Sequence, residues 1–149
     1  MKVRILHNSD GTVSVFHPAS KSRREDETEE QWVERVFTKA TPDGVEYKDI
    51  DLDDEPLCDR DFRGAWIKGA SGKALDIHIG KAREITKARL RVERKPLLEA
   101  QDVLYMKALE KGEDTSAIVA EKQRLRDITK IDHVDDLETM KSLKAEGKL

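Results

Sequence analysis

A single cysteine, Cys58, in 149 residues excludes an internal disulfide framework and any cysteine-based zinc centre, and its neighbour Leu57 suits it to a small apolar filler. No stretch approaches the ~18 consecutive apolar residues that a membrane span needs, so no membrane partner is expected. Met1 to Leu6 is too short and too alternating for a secretory signal, which implies a cytosolic protein where it is made. The eight glycines are scattered, and neither Gly-x-Gly-x-x-Gly, nor Gly-x-x-x-x-Gly-Lys, nor a Gly-x-Ser-x-Gly elbow occurs, so no phosphate cradle or activated serine is visible. None of His7, His17, His78 and His133 stands three or four residues from another, the spacing that puts two imidazoles on one helical face. His7 and His17 are expected to meet across a hairpin, but two ligands make no metal site. Asp49, Asp51 and Asp53 imitate the start of a calcium loop, yet Asp54 and Arg60 stand where its glycine and bidentate glutamate belong. The expectation is a protein that is no enzyme, with no catalytic residue, metal or cofactor.

Aromatic residues are scarce, at 5%, but Trp32, Phe37, Tyr47, Phe62, Trp66 and Tyr105 give each candidate element something to bury. Charged residues make up 40% and hydrophobic residues 37%, against about 25% and roughly 45–50% in ordinary domains, so the core is thin and the helices are mostly solvated. The net charge of -3 conceals a pattern: residues 1–24 carry +4, residues 25–62 carry -11 and residues 63–149 carry +4. Internal pairing between the acidic middle and the basic flanks is the expected outcome.

Period-two alternation in Lys2 to Leu6 and Thr12 to Phe16, separated by Asn8-Ser9-Asp10-Gly11, predicts a β-hairpin over 2–17. Residues 18–27 are polar and read as a mobile connection. Thr28 followed by Gln31 forms a capping-box pattern, and Trp32, Val33, Val36, Phe37 and Ala40 recur on one helical face, which predicts a helix over 29–40. That helix is expected to lay Trp32 and Phe37 on the apolar face of the hairpin. Thr41-Pro42-Asp43-Gly44 is a turn before a third strand, Val45 to Ile50, and residues 49–56 are an acidic linker. Asp59 to Trp66 reads as one or two helical turns and Lys73 to His78 as a short strand.

From Gly80 to Lys111 no turn signal appears, and a stripe from Ala82 through Val92 to Leu109 approximates the helical period, with a kink expected at Pro96. Gly112 closes this helix, Asp114 or Thr115 caps the next, and the two should form an antiparallel hairpin over about 80–129. A last short helix is expected near Asp132, with Leu137, Met140 and Leu143 inward. The fold class is therefore α+β, divided into an N-terminal β-β-α-β domain with its linker (1–56) and a mainly helical domain (57–149).

The C-terminal half carries a resemblance that composition does not supply. Asp59 to Trp66, Lys81 to Ile85, Arg94-Lys95-Pro96-Leu97-Leu98, Asp102-Val103 and Lys122 to Thr129 follow a recurring order. Over about residues 59–143 the chain resembles the tail assembly chaperone-like proteins of tailed bacteriophages and prophages, and Gln123 to Thr129 is similar to the Arg-Gln-x-Leu-Arg-Asp signature shared with tail fibre assembly proteins. The resemblance implies phage morphogenesis in the host cytoplasm, without cofactor or catalytic residue, through contacts with other phage structural proteins. On this reading Leu97, Val103, Leu104, Leu125, Arg126 and Ile128 form the partner-binding face. The alternative is a minor structural protein of tail, collar or capsid, retained in the virion, whose face is covered in a symmetric homo-oligomer. A third reading uses the basic face, Lys81, Arg83, Lys87, Arg89, Arg91 and Arg94, with Lys95, as a nucleic-acid accessory surface. A pI near 5.9 and the lack of interleaved aromatics make nucleic acid the weakest of the three partners.

Overall fold

Arg4 pairs with Phe16 across the first hairpin and with Asp49 on its other side, a register that determines which residues share each face of the N-terminal sheet. The structure, a computed structural model, describes residues 1–147; the last two residues of the predicted helical domain lie outside them. Strand β1 (Lys2–His7) lies between β2 (Val13–Phe16) and β3 (Glu46–Asp51), antiparallel to both. Because side chains alternate along a strand, Val3, Ile5, Val13, Val15 and Ile50 fall on one face and Arg4, Phe16, Tyr47 and Asp49 on the other.

Helix α1 (Glu29–Ala40) begins at Thr28, and the capping box forms as the sequence predicts: the Gln31 amide donates to Thr28 Oγ1, and the Thr28 amide donates to Gln31 Oε1. The helix covers the other face from the one expected. Phe37 meets Phe16 edge to face, with centroids 5.8 Å apart, and lies 4.7 Å from the Arg4 guanidinium. The buried Arg4 is fully engaged there, donating to both Asp49 carboxylate oxygens at 2.7 Å and to Thr41 Oγ1 at 2.9 Å. The Val3 and Ile5 face packs instead against Trp66, Ala74 and Leu75, with Leu57, Cys58 and Ile77 at its margin. Strongly apolar strands attract the most apolar cover available, and residues 57–77 supply more of it than α1 does.

That second cover comes from 3-10 turns over Arg60–Ala65 and a small antiparallel hairpin of β4 (Trp66–Lys68) and β5 (Leu75–Ile77). Gly69 is required in its loop, since an added Cβ would stand 2.5 Å from the Lys73 carbonyl oxygen. The chain accordingly divides into units Met1–His78 and Ile79–Leu149, and not at 56/57. Residues 49–56 are no linker: Asp49 and Asp51 lie in β3, and Asp51 and Asp53 hold the N-terminal amine at 2.7 and 3.3 Å.

Two further expectations change in this unit. Residues 18–27 are tied down by polar contacts, with Trp32 Nε1 donating to Ser22 Oγ at 2.8 Å and Arg35 gripping the Glu27 carboxylate and the Ser22 carbonyl. The Arg35 guanidinium, with the Arg24 amide, lowers the Glu27 carboxyl from 4.5 to about 2. His7 stands opposite Val13 and far from His17 in register, with Nε2 3.0 Å from the Ala74 carbonyl oxygen. Cys58 takes the expected filler position, its thiol pushed up by burial.

The second unit contains α2 (Ile79–Lys111), α3 (Ser116–Asp127) and α4 (Leu137–Ser142). Helix α2 is one 33-residue element that includes Pro96. The proline has no amide to give the carbonyl of Val92, a residue exposed to solvent. Among the described residues, no helix is long and apolar enough to cross a membrane.

Candidate functional site

The helical hairpin begins with the turn that creates it. Gly112 takes a φ of 67°, its amide donates to Leu109 O at 3.1 Å, and the Glu113 amide donates to Ala108 O at 2.9 Å, which is the paired pattern that ends a helix on a left-handed residue. Thr115 stands at the cap of α3 without a side-chain bond, and Asp114 does the capping, accepting from the Ser116 amide at 3.0 Å. Four residues thus separate two helices that run antiparallel, as predicted.

Register along the hairpin is fixed by polar contacts between α2 and α3. Lys122 Nζ lies 2.6 Å from Asp102 Oδ1 and 5.2 Å from the centroid of Tyr105. Arg94 donates to Arg126 O at 2.9 Å, and to Leu125 O and Thr129 Oγ1 at 3.4 Å, closing the C-terminal end of α3. Leu125 itself is 0% exposed.

The basic face is put to a similar use. Arg89 donates to Met140 O and Leu143 O, both at 2.8 Å, at the C-terminal end of α4, where orphan carbonyls and the helix dipole favour a cation. Arg83 donates to Val134 O at 2.7 Å and pairs with Asp135. Lys87 bridges Asp132 at 2.7 Å and Glu84 at 3.0 Å. Glu93 completes the clamp by accepting from the Ala145 amide at 3.0 Å and from Arg89 at 2.9 Å; burial pushes its carboxyl up, but these donors hold it below its ordinary value. Arg83, Lys87, Arg89 and Arg94 therefore anchor residues 125–145 to α2, while Lys81 and Arg91 are exposed. Their acid partners belong to the helical unit, whereas the acidic segment 25–62 pairs with Met1, Arg4, Arg35, Lys48 and Lys68 in its own unit.

The anchored segment supplies the apolar cover of α2. Ala82, Thr86 and Leu90 are buried on the helix, and so are Ile131, Val134, Met140 and Ala145 beyond it. The buried Thr86 hydroxyl is satisfied by the Ala82 carbonyl at 2.9 Å. Helix α4 starts at Leu137, five positions after the expected start, because Asp136 is its cap, accepting from the Glu138 and Thr139 amides. Met140 is buried as expected, with Leu137 and Leu143 half-buried.

The predicted partner-binding set separates accordingly. Leu125 is withdrawn into the hairpin and cannot present a surface. Leu97 and Ile128 are half-buried, Arg126 is exposed, and Val103 and Leu104 stay open at 53% and 48%. Four exposed apolar residues belong with them that the sequence reading did not place there: Val92 at 75%, Met106 at 57%, Leu109 and, on α3, Val119. Val92, Pro96, Val103 and Met106 follow steps of four, seven and three along α2, so they share one stripe. Tyr105 and Ala108, on a different side, face α3 or are buried. The helical period of α2 was legible in the sequence, but the spacing alone does not tell that Val92 and Leu109 are left in solvent. Among the described residues no three histidine, cysteine, aspartate or glutamate side chains converge as a metal site. Comparisons with family profiles, with curated proteins and with solved structures found no match.

Proposed function

We propose that the protein works by binding other polypeptides through the outer stripe of α2, without catalysing a reaction, as a phage morphogenesis factor of the tail assembly chaperone-like kind. The observation that supports this reading is the concentration of exposed apolar side chains on the hairpin. Six of the eight large hydrophobic residues exposed among the described residues lie on α2 and α3. A charge-rich chain has ample polar residues with which to cover such a stripe, and an uncovered one marks a place where a partner helix or apolar surface docks. The positions of Arg83, Lys87, Arg89 and Arg94 weigh against the nucleic-acid alternative, since carbonyls and carboxylates of the helical unit already occupy these cations.

A factor of this kind shields apolar surface of an unassembled tail component and leaves when the component meets its permanent neighbours. Co-expression with tail structural proteins is expected to raise their soluble yield, and the V103D/M106D double variant to lose the effect while remaining folded. Equal yields with and without the chain contradict the reading. Mass spectrometry of purified particles then separates the two phage roles, because a chaperone is absent from them and a structural component is present in stoichiometric amount.

A further inference from the structure

On the α1 side of the N-terminal sheet the cover is incomplete. A cavity of about 900 Å³ opens between the first half of α1 and the ends of β1 and β3. Its apolar lining on the helix is Val33 and Phe37, Ile50 borders it from β3, and Glu29, Glu30 and Glu34 rim it from the helix. Asp49 and Asp51 border it from the sheet, where Arg4 and the N-terminal amine already neutralise them. Among the described residues Glu29, Glu30 and Glu34 make no ion pair, although Glu34 lies within the electrostatic reach of Arg4, and Lys2 is the one lysine or arginine among the lining residues.

The groove also runs beside an open strand edge. Strand β3 is the outer strand of the sheet, paired with β1 alone. The Leu52 amide donates to Met1 O at 3.0 Å, and Ile50, Lys48 and Glu46 follow at alternate positions with Val3, Ile5 and His7 opposite them. In an antiparallel ladder the intervening residues then turn their amides and carbonyls away from β1. Tyr47 and Asp49 thus offer an amide and a carbonyl each to a further strand, while the Asp51 carbonyl is taken by the Asp54 and Glu55 amides.

We propose that this groove binds an extended, basic segment of another polypeptide, in which lysine or arginine alternates with aliphatic residues. Such a segment adds to the edge of β3 through the Tyr47 and Asp49 backbone. Its cations face the Glu29, Glu30 and Glu34 carboxylates on the α1 side with their alkyl stems over Val33 and Phe37, and the aliphatic residues between them fall on the opposite face. Charge complementarity selects this occupant: the N-terminal unit carries a net charge of -5, and the uncompensated part of the groove wall is anionic. The site lies in a different unit from the α2 stripe and does not depend on the role proposed for it.

The test is fluorescence anisotropy on the full chain with a labelled peptide of alternating lysine and valine. Binding is expected to weaken at least tenfold in three comparisons: for the glutamate-valine counterpart, for a lysine-valine peptide N-methylated at alternate amides, and for the E30K/E34K variant. The variant's exposed substitutions leave the folded unit intact, which circular dichroism checks. No binding of the lysine-valine peptide overturns the proposal, as does binding that survives either N-methylation or charge reversal.

Discussion

The two units handle their apolar residues in opposite ways. In Met1–His78 a three-stranded sheet takes cover on each face, in full on one and in part on the α1 side, and Phe37, Ile5, Val3 and Trp66 are almost wholly buried. In Ile79–Leu149 a 33-residue helix buries Ala82, Thr86, Leu90 and Ala108 and leaves Val92, Val103, Met106 and Leu109 in solvent. The first unit uses its hydrophobic residues for its own stability, while the second keeps its hairpin in place through arginine clamps and leaves part of its apolar surface uncovered. Exposed stripes contribute little to the fold that carries them, so substitutions in the two places should have opposite signatures.

The largest effect should come from Phe37→Ala, which empties the space between α1 and the Arg4 face and should cost about 3–5 kcal/mol by denaturant titration. Leu125→Ala should cost nearly as much, about 2–5 kcal/mol, because that side chain is the buried centre of the hairpin. A cost under 1 kcal/mol would mean that the hairpin is held by its polar clamps alone. Arg89→Ala leaves the carbonyls of Met140 and Leu143 without their donor, at roughly 1.5–3 kcal/mol. Arg89→Lys should restore less than half of it, since an ammonium does not reproduce the two-pronged reach of the guanidinium. Loss of amide protection confined to residues 137–145 in hydrogen exchange would locate the effect.

Acid separates the units on a smaller scale. The folded-state pKa of Glu27 is depressed, so the contribution of its pair with Arg35 is complete above about pH 4.5 and is lost as pH falls toward about 2. Glu27→Gln should flatten that part of the stability profile of the N-terminal unit and leave the helical unit unchanged, as followed by Trp32 fluorescence and by helical ellipticity. The smallest change in stability, within about 0.5 kcal/mol, is expected for Val103→Ser and Met106→Ser, which should nonetheless abolish partner binding.

Local signals were the legible part of the sequence. The Asp10-Gly11 hairpin, the Thr28 and Gln31 capping box and the Gly112 stop each depend on a few adjacent residues, and each stands where the sequence puts it. Which apolar surfaces meet is decided by competition, and that was not legible. The Val3 and Ile5 face goes to Trp66 and Leu75 and not to Phe37, because two covers compete for one sheet and only packing ranks them. On α2 the helical period was legible but not which side is covered: Leu90 is buried and Val92 exposed, two residues that the composition of the helix hardly distinguishes. The basic run from Lys81 to Arg94 read as a charged face, since nothing local reveals that Arg89 and Arg94 will cap helices 31 to 54 residues further along the chain.

Site-specific photo-crosslinking in producing cells tests the central claim most directly. A benzophenone side chain placed at Val103 or Met106 should give adducts with a tail structural protein, identified by mass spectrometry, and the same group at the exposed Lys130 should give none. Absence of adducts at both stripe positions, or identical adducts at Lys130, would contradict the assignment of the α2 stripe as the surface through which this protein acts.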